Sequence, residues 1–590
     1  MRLVVCGAFL FAAACSRAPA PDTASRKVSE HQYQQLYGSV LSDFFARAKG
    51  KDGSARYAAQ RLGATSAPSF DAAKPAGVLR VFVVGGSVAQ LFDERELEAA
   101  LRRLLPGRRF EVLDCGVSAY DSTRDGLTVE EVLGYEPDLV VLMSGVNEGG
   151  QSGSLPRSRR LLARVLAKGM LKLRLRRAFR LFRQDAAQAR SLAGLAASFR
   201  ENLRAAARAA RARRVPLVLC TLPWNFRDMP PRGTMPLWER GFFDAWVLFE
   251  RGDYPRAAEA FERYVSGLKP DVSDTRRTFG EYYLGRSLDR AGDAAGARAH
   301  YLLSLERQTP PMPVLNRIVR EVGREEGVPL ADLDAAFSDA APGGLVGMDA
   351  FEDDMHWDRA LDPLVAERIA AAAFGAAPRD ARPLVLSGKK RREKAWVAFT
   401  VRAWGQSLYR DHRLAERFVA LMDVVHEAHP QLLAHADEMK GWLREKFSSN
   451  VWDSSAALRL DEWWPAVLGH IGEVYLRRGE PGQALRFFDE SLRSGGGGDT
   501  ATAFIRLRRA VAQLALGRRA EALKAFEELR ASEGMLPEIG YYRELAIRDG
   551  AAPAPRRGSG RAPGLSGGPK RLREEGDRVM SEFGAGPRSE

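Results

Sequence analysis

A serine hydroxyl becomes a useful nucleophile when an imidazole takes its proton and a carboxylate steadies the ring. This chain carries all three groups in suggestive settings. Val81-Phe82-Val83-Val84-Gly85-Gly86-Ser87 is an apolar run stopped by two glycines, with a serine directly behind them. Far along the chain, Phe351-Glu352-Asp353-Asp354-Met355-His356-Trp357 sets a carboxylate three residues before a histidine. Attack of Ser87 on an acyl carbonyl needs a base during the attack, and histidine titrates near neutrality, where such a transfer is useful. Asp353 would orient His356 and stabilise the imidazolium, with Asp354 as the alternative acid. Taken alone, the Gly-Gly-Ser turn also suits a phosphate cradle, although G-G-S-V-A lacks the full dinucleotide fingerprint.

Two further segments lie between these ends. Phe110 to Leu113 read as a short strand leading into Asp114-Cys115-Gly116-Val117-Ser118-Ala119-Tyr120. Pro137-Asp138-Leu139-Val140-Val141-Leu142-Met143 read as another, leading into Ser144-Gly145-Val146-Asn147-Glu148. Ser, Gly and Asn, each behind a strand, followed by Asp-x-x-His, resemble in order the four blocks of SGNH/GDSL hydrolases. The resemblance spans residues 78–230 and 311–378. It implies hydrolysis of carboxylic esters through a Ser87 acyl-enzyme, with Asp353 and His356 completing the triad. It further implies an oxyanion hole built from the Ser87 N–H, the Gly116 N–H and the Asn147 side chain. Neither a cofactor nor a metal is implied. Gly-Val-Asn-Glu departs from the commoner Gly-x-Asn-Asp but spares the Gly and the Asn. Glu148 then reads as a local hydrogen-bonding or solvated residue.

Those residues need a scaffold that brings them to one edge. Helical periodicity from about Leu91 to Leu105, and again from Leu192 to Arg211, alternates with nearly continuous apolar strands. Val215 to Leu222 and Val328 to Leu333 read as the fourth and fifth strands, and a closing helix runs from Asp362, a cap before Pro363, to Phe374. The pattern predicts an α/β three-layer sandwich with about five parallel strands, SGNH/flavodoxin-like by the resemblance. Ligands in such folds sit beyond the carboxyl ends of the strands. Pro223-Trp224-Asn225-Phe226-Arg227 follows the fourth strand, so Trp224, Asn225 and Arg227 are candidate substrate contacts.

The rest of the 590 residues divides by composition. Residues 1–14 read as a signal peptide, 15–27 as a tether and 28–77 as an N-terminal helical segment. The hydrolase core then occupies 78–230 and 311–378, around an insertion at 231–310. A C-terminal helical domain covers 391–545, and a Gly-, Pro- and Arg-rich tail at 546–590 is expected to be disordered. Gly252, Ala257 and Phe261 recur as Gly292, Ala297 and Tyr301, then as Gly479, Ala484 and Phe488, and finally as Gly517, Ala522 and Phe526. These offsets resemble tetratricopeptide repeats, which implies stacked helix pairs and a surface for a protein partner. The aromatic-rich stretch from Trp396 to Trp442 reads as core of the second helical domain.

Met1-Arg2, the apolar run to Ala14 and then Cys15 resemble a bacterial lipobox, which makes Cys15 the acylated first residue. The run is too short to span a bilayer. Ser16 after the cysteine implies lipid anchorage at the outer membrane, facing the periplasm, where an acyl or acetyl ester of a lipid or glycan is the expected substrate. The same machinery could hand the acyl group to a glycan hydroxyl, so an O-acyltransferase or O-acetyltransferase is the alternative function. A repeat-based scaffold lipoprotein with a vestigial core is another.

The formal charge of +14 would also suit a nucleic acid, but there is no zinc-finger spacing, RRM-like motif or convincing recognition helix. Part of the excess lies in eleven Lys or Arg without an acid from Arg157 to Arg183, interleaved with leucines and phenylalanines. This reads as a basic amphipathic helix, either a solvated cover or a contact for an anionic surface. With no CxxC pair, a structural metal is not expected, and Cys115 and Cys220 read as buried thiols.

Overall fold

The computed structural model describes residues 43–60, 68–149, 191–231, 236, 239–250, 252–269, 275–347, 349–351 and 354–378. In the carboxyl half it describes 464–465, 468–469, 471–472, 475–476, 479–495, 499–533, 542–543 and 546–547.

Within the expected helical segment 28–77, residues 28–42 and 61–67 lie outside the described residues, and the remaining residues correct the expectation of helix. They form a three-stranded antiparallel sheet of β1 Phe45–Lys49, β2 Ala55–Ala59 and β3 Ser69–Asp71. Alanine, arginine and lysine favour helix by propensity, but tertiary packing decides the outcome. Phe45, Tyr57 and Phe70 lie close together, with Phe45–Phe70 and Tyr57–Phe70 centroids 4.9 and 5.4 Å apart. Phe82 and Tyr135 close the cluster from the neighbouring domain core, 5.7 and 5.6 Å from Phe70.

That core is a parallel five-stranded sheet of β4 Val78–Gly85, β5 Arg109–Gly116, β6 Leu139–Met143, β7 Leu217–Thr221 and β8 Leu330–Asp332. The strand order is β5-β4-β6-β7-β8. Strands β6 and β7 are buried at every position, as expected of a sheet covered on both faces. Helix α1 Ser87–Leu91 follows β4, and α2 Glu94–Leu104 leads back to β5. Helix α3 Ser122–Val132 links β5 to β6, and α4 Leu192–Ala212 precedes β7.

The insertion between β7 and β8 holds α5 Arg240–Glu250, α6 Tyr254–Gly267, α7 Thr275–Ala291 and α8 Ala294–Glu306, each packed on the next. Next come α9 Met312–Glu326 before β8, then α10 Leu333–Ala340 and α11 Asp362–Phe374 after it. Helices α2 and α11 pack together against the sheet, while α4 packs with both α3 and α9.

In the carboxyl half α12 Pro481–Arg493, α13 Asp499–Ala515 and α14 Arg519–Glu533 pack in chain order. One contact recurs in both helical regions. A Cβ on Gly285 would stand 3.0 Å from the Tyr301 ring, and one on Gly472 2.8 Å from Phe488. Glycine is what lets these helices approach so closely. Among the described residues no helix is long and apolar enough to cross a membrane.

Arg80 on β4 ties the two sheets together although its side chain is 0% exposed. Its guanidinium donates to Glu111 at 2.7 Å, to Tyr135 O at 2.9 Å and to Asp71 O at 3.0 Å, and lies 4.5 Å from the Phe70 ring centroid. Truncating one partner of a buried pair is costly because the remaining polar groups lose their donor in low dielectric. Glu111 is partly solvated, which reduces the cost. Arg80→Ala is expected to lower unfolding free energy by about 2–3 kcal/mol, read from the midpoint of a urea titration.

Candidate active site

The site begins with strand register. Gly85 pairs with Gly116 on β5 and with Met143 on β6, so three adjacent strands end level. A Cβ on Gly85 would overlap the Met143 carbonyl, and one on Gly116 would overlap the Gln90 backbone. The two glycines therefore allow α1 to lie across the ends of the strands. Gly86, in extended geometry, caps that helix and Ser87 is its first residue. Strand β4 is also where the sheet order reverses, with β5 on one side and β6 on the other. Ligands of such sheets bind at this switch point, and Ser87 stands beside it, directly after β4.

The histidine arrives from the other end of the domain. The segment after α10 folds back on itself through a bridge between Phe351 and Trp357. It is held to the loop after β7 by the Asn225 N–H to Asp354 O bond of 3.0 Å and the Arg227 N–H to Val346 O bond of 3.2 Å. His356 Nε2 thereby lies 2.8 Å from Ser87 Oγ, across 269 positions of sequence. This is hydrogen-bonding distance for a nucleophile and its base. Asp353, expected to orient the ring, lies outside the described residues. Asp354, its alternative, is described and buried.

Asn147 comes from the turn after β6 and donates from Nδ2 to Tyr120 O at 3.0 Å. A Cβ on Gly86 would stand 2.6 Å from the same Nδ2, so the amide lies directly against the Ser87 turn. The second amide proton is left to point elsewhere.

Gly116 requires a correction. Its N–H donates to Asp114 Oδ1 at 2.7 Å inside the protein, so that donor is already committed. The turn that follows offers another. Ala119 adopts φ +66°, a left-handed conformation that costs a non-glycine residue about 1–2 kcal/mol. Its N–H has no acceptor among the described residues, and Ala119, unlike Gly116, is a partly exposed residue. Gln90 holds this turn in place, its Oε1 accepting from Ser118 N at 2.8 Å and Ser118 Oγ at 2.6 Å. The motif reading missed both residues. Gln90 lies three positions after Ser87 on α1, a spacing that shares a helix face, and that was the available signal. The φ of Ala119 leaves no trace in composition.

Beneath these residues lies a buried acidic layer. Glu148, next to Asn147, is 0% exposed and accepts from the Ser122 N–H at 2.6 Å. Asp121 caps α3 by accepting from the Arg124 N–H and also pairs with the buried Arg124 guanidinium. Ser144 donates to Asp125 at 2.6 Å. Asn202 on α4 donates to Ser122 Oγ at 2.9 Å and Thr123 Oγ1 at 3.1 Å. Burial pushes the carboxyls of Glu148 and Asp125 well above the usual range, and the nearby Asp121 charge pushes them the same way. Glu148 is therefore a fastener between the Asn147 turn and α3.

The candidates after β7 are also corrected. Trp224 and Asn225 are buried, and the Asn225 carbonyl accepts from Asp228 N at 3.1 Å. Arg227 pairs with Asp289 of α7 through bonds of 2.7 and 2.9 Å. Trp224 belongs to the core while Asn225 and Arg227 fasten the loop to its surroundings, and the helical insertion claims the guanidinium expected to meet substrate. Cys115 and Cys220 are buried and form no disulfide among the described residues, and burial pushes the Cys220 thiol above its usual range. Cys15 and the basic stretch 157–183 lie outside the described residues. Among the described residues no cluster of three His, Cys, Asp or Glu side chains could hold a metal.

Glu148 allows a test with a definite sign. Its raised pKa means that the native state holds the proton more tightly than the unfolded chain, so its contribution to stability falls as pH rises above the ordinary glutamate range. Glu148→Gln keeps the acceptor for Ser122 and removes the ionisation. The variant is expected to match the wild type in urea unfolding at pH 5 and to exceed it at pH 8.

No family model and no curated protein matches the chain. Solved structures do. LAE5, an alpha/beta hydrolase enzyme from the metagenome of Lake Arreo, Spain, is 14% identical with a TM-score of 0.27, covering 50% of this chain and 94% of its own. A variant of Axe2, an acetyl xylan esterase from Geobacillus stearothermophilus, is 13% identical with a TM-score of 0.27, covering 51% and 97%. The lipase/acylhydrolase from Enterococcus faecalis is 16% identical with a TM-score of 0.25, covering 51% and 100%.

Proposed function

We propose that this protein is a serine hydrolase of carboxylic esters, with Ser87 as nucleophile and His356 as general base and acid. The observation that carries the reading is the 2.8 Å separation of Ser87 Oγ and His356 Nε2 at the mouth of the sheet's switch point. Ser87 Oγ adds to the acyl carbonyl while its proton passes to His356 Nε2. The oxyanion that forms is received by the Ser87 N–H and Asn147 Nδ2, with the Ala119 N–H in place of Gly116. Collapse breaks the ester C–O bond, and His356 returns the proton to the departing alkoxide. Water, deprotonated by the same imidazole, then cleaves the acyl-enzyme and frees Ser87. A carboxylate at Asp353 or Asp354 steadies the ring in this scheme.

The expected substrate is an acyl or acetyl ester of an envelope lipid or glycan, reached from a membrane anchor on Cys15. What supports this placement is the lipobox-like run before that cysteine. The equal glycine–aromatic contacts of the two helical regions support a tetratricopeptide-like surface for a protein partner.

A fluorophosphonate probe applied to the purified full-length chain is expected to label the wild type and to lose all labelling in Ser87→Ala. Absence of labelling in the wild type, with no cleavage across a panel of short-chain p-nitrophenyl esters, would overturn the assignment. Removing one oxyanion donor costs about 10²–10³ in kcat. Asn147→Ala is expected to lose that much in steady-state hydrolysis of p-nitrophenyl acetate while KM moves little.

A further inference from the structure

Sequence alone makes Asp362 the cap of the closing helix, but the cap position falls on Leu361 and Asp362 is the first residue of α11. It points away from its own helix. One carboxylate oxygen accepts from the indole Nε1–H of Trp357 at 2.7 Å, and the other accepts from the Asp93 backbone N–H at 3.1 Å. Trp357 is the residue directly after His356. Asp93 caps α2, immediately beyond the short helix that opens with Ser87. The Asp93–Asp362 bond spans the same 269 positions of sequence as the Ser87–His356 bond. The carboxylate is 1% exposed and the indole it holds is itself buried.

We infer that Asp362 is a positioning residue that sets the distance between nucleophile and base, by clamping the Trp357 indole to the turn after the Ser87 helix. It touches neither substrate nor reacting atom. Two hydrogen bonds, one to each catalytic segment, fix a separation that no secondary structure fixes, because His356 lies on a loop. This role rests on the esterase reading and adds to it a residue that no motif marks.

The charges around Asp362 bear on how the clamp responds to pH. The Asp93 carboxylate faces it from the cap of α2 but is paired with Arg95 at 2.6 Å, and Arg359 faces it from the short turn before α11. Further along the α2–α11 contact, Arg103 pairs with Glu367. At the end of β8, Asp332 is occupied by Arg320 at 2.8 Å. His356 is one residue from the clamped indole. Burial pushes the Asp362 carboxyl up to about 6, with the Trp357 and Asp93 hydrogen bonds and Arg359 opposing the rise. The native state therefore binds this proton more tightly than the unfolded chain, and the aspartate's contribution to stability declines as pH rises from about 4 through 6. The ionised form accepts two bonds. The protonated form turns one oxygen into a donor facing an N–H, so the clamp slackens below pH 6 even as the fold gains stability.

Misplacing reacting groups by about 1 Å can cost up to about 10²-fold in rate. Asp362→Asn keeps one acceptor oxygen and turns the other into an NH2 facing an N–H, and is expected to lower kcat on p-nitrophenyl acetate about ten- to fiftyfold with KM nearly unchanged. Its unfolding midpoint at pH 8 is expected to be no lower than that of the wild type. Trp357→Phe keeps the aromatic body, removes the other end of the clamp and serves if the Asn variant fails to fold. Its loss is expected to be about five- to tenfold, and the double variant should lose no more than Asp362→Asn alone, as members of one unit do. The acid limb of the wild-type pH–rate profile should be steeper than a single proton allows and should relax to one proton in Asp362→Asn. Unchanged kcat in both single variants, or multiplied losses in the double variant, would overturn the clamp. If the wild type shows neither labelling nor hydrolysis, the esterase reading has failed instead. A wild type that labels while both variants label at its rate condemns the clamp alone.

Discussion

The level ending of three parallel strands is the constraint from which the rest of the site follows. Gly85 sits between Gly116 and Met143, and its missing side chain lets the β6 backbone pass where a methyl group would collide. Had any of the three strands slipped by one residue, every side chain behind it would have changed face. Because they do not slip, the turns after β4, β5 and β6 leave the sheet side by side. Their polar ends meet at one edge, and the buried acids beneath bind the turn after β6 to α3. Stability and geometry pull against each other here. Glu148, Asp125 and Asp362 are carboxylates in places that favour the neutral form, and each joins two segments around Ser87.

How much of this was legible depended on whether a residue acts through its type or through its surroundings. The strands of the sheet announced themselves because a layer covered on both faces must be almost wholly apolar. The Ser87 turn was readable because glycine and a strand end leave few conformations. Residues 45–71 misled because their alanines and arginines favour helix, whereas Phe45, Tyr57 and Phe70 bury themselves only as strands against Phe82 and Tyr135. Trp224, Asn225 and Arg227 had the chemistry of ligand contacts and the right position in the order of elements. What the sequence could not convey was that a partner from the insertion, Asp289, would occupy the guanidinium.

Gly116 and Ala119 make the same point on a smaller scale. The glycine is the residue that pattern selects, yet its absent Cβ makes room for α1 and its N–H turns inward to Asp114. Three residues on, an alanine bears the backbone twist that glycine usually takes. Local motif and local geometry diverge because the motif records which residue types occur, while the direction of an N–H is set by the long-range packing of α1 on β5. Asp362 is legible only in three dimensions, since both of its bonds run to other elements.

The wide separation of Ser87 from His356 has a consequence for the order in which the molecule comes into being. Strands β4, β5 and β6 are complete within the first quarter of the chain, so a growing polypeptide can assemble the hydroxyl and its surrounding turns early. The imidazole follows only after four helices of insertion and the edge strand β8 have been made. Contacts so distant in sequence form late and slowly. A nascent or broken chain that stops short of β8 thus carries Ser87 without the His356 ring beside it. The pair forms only once nearly the entire α/β unit has closed.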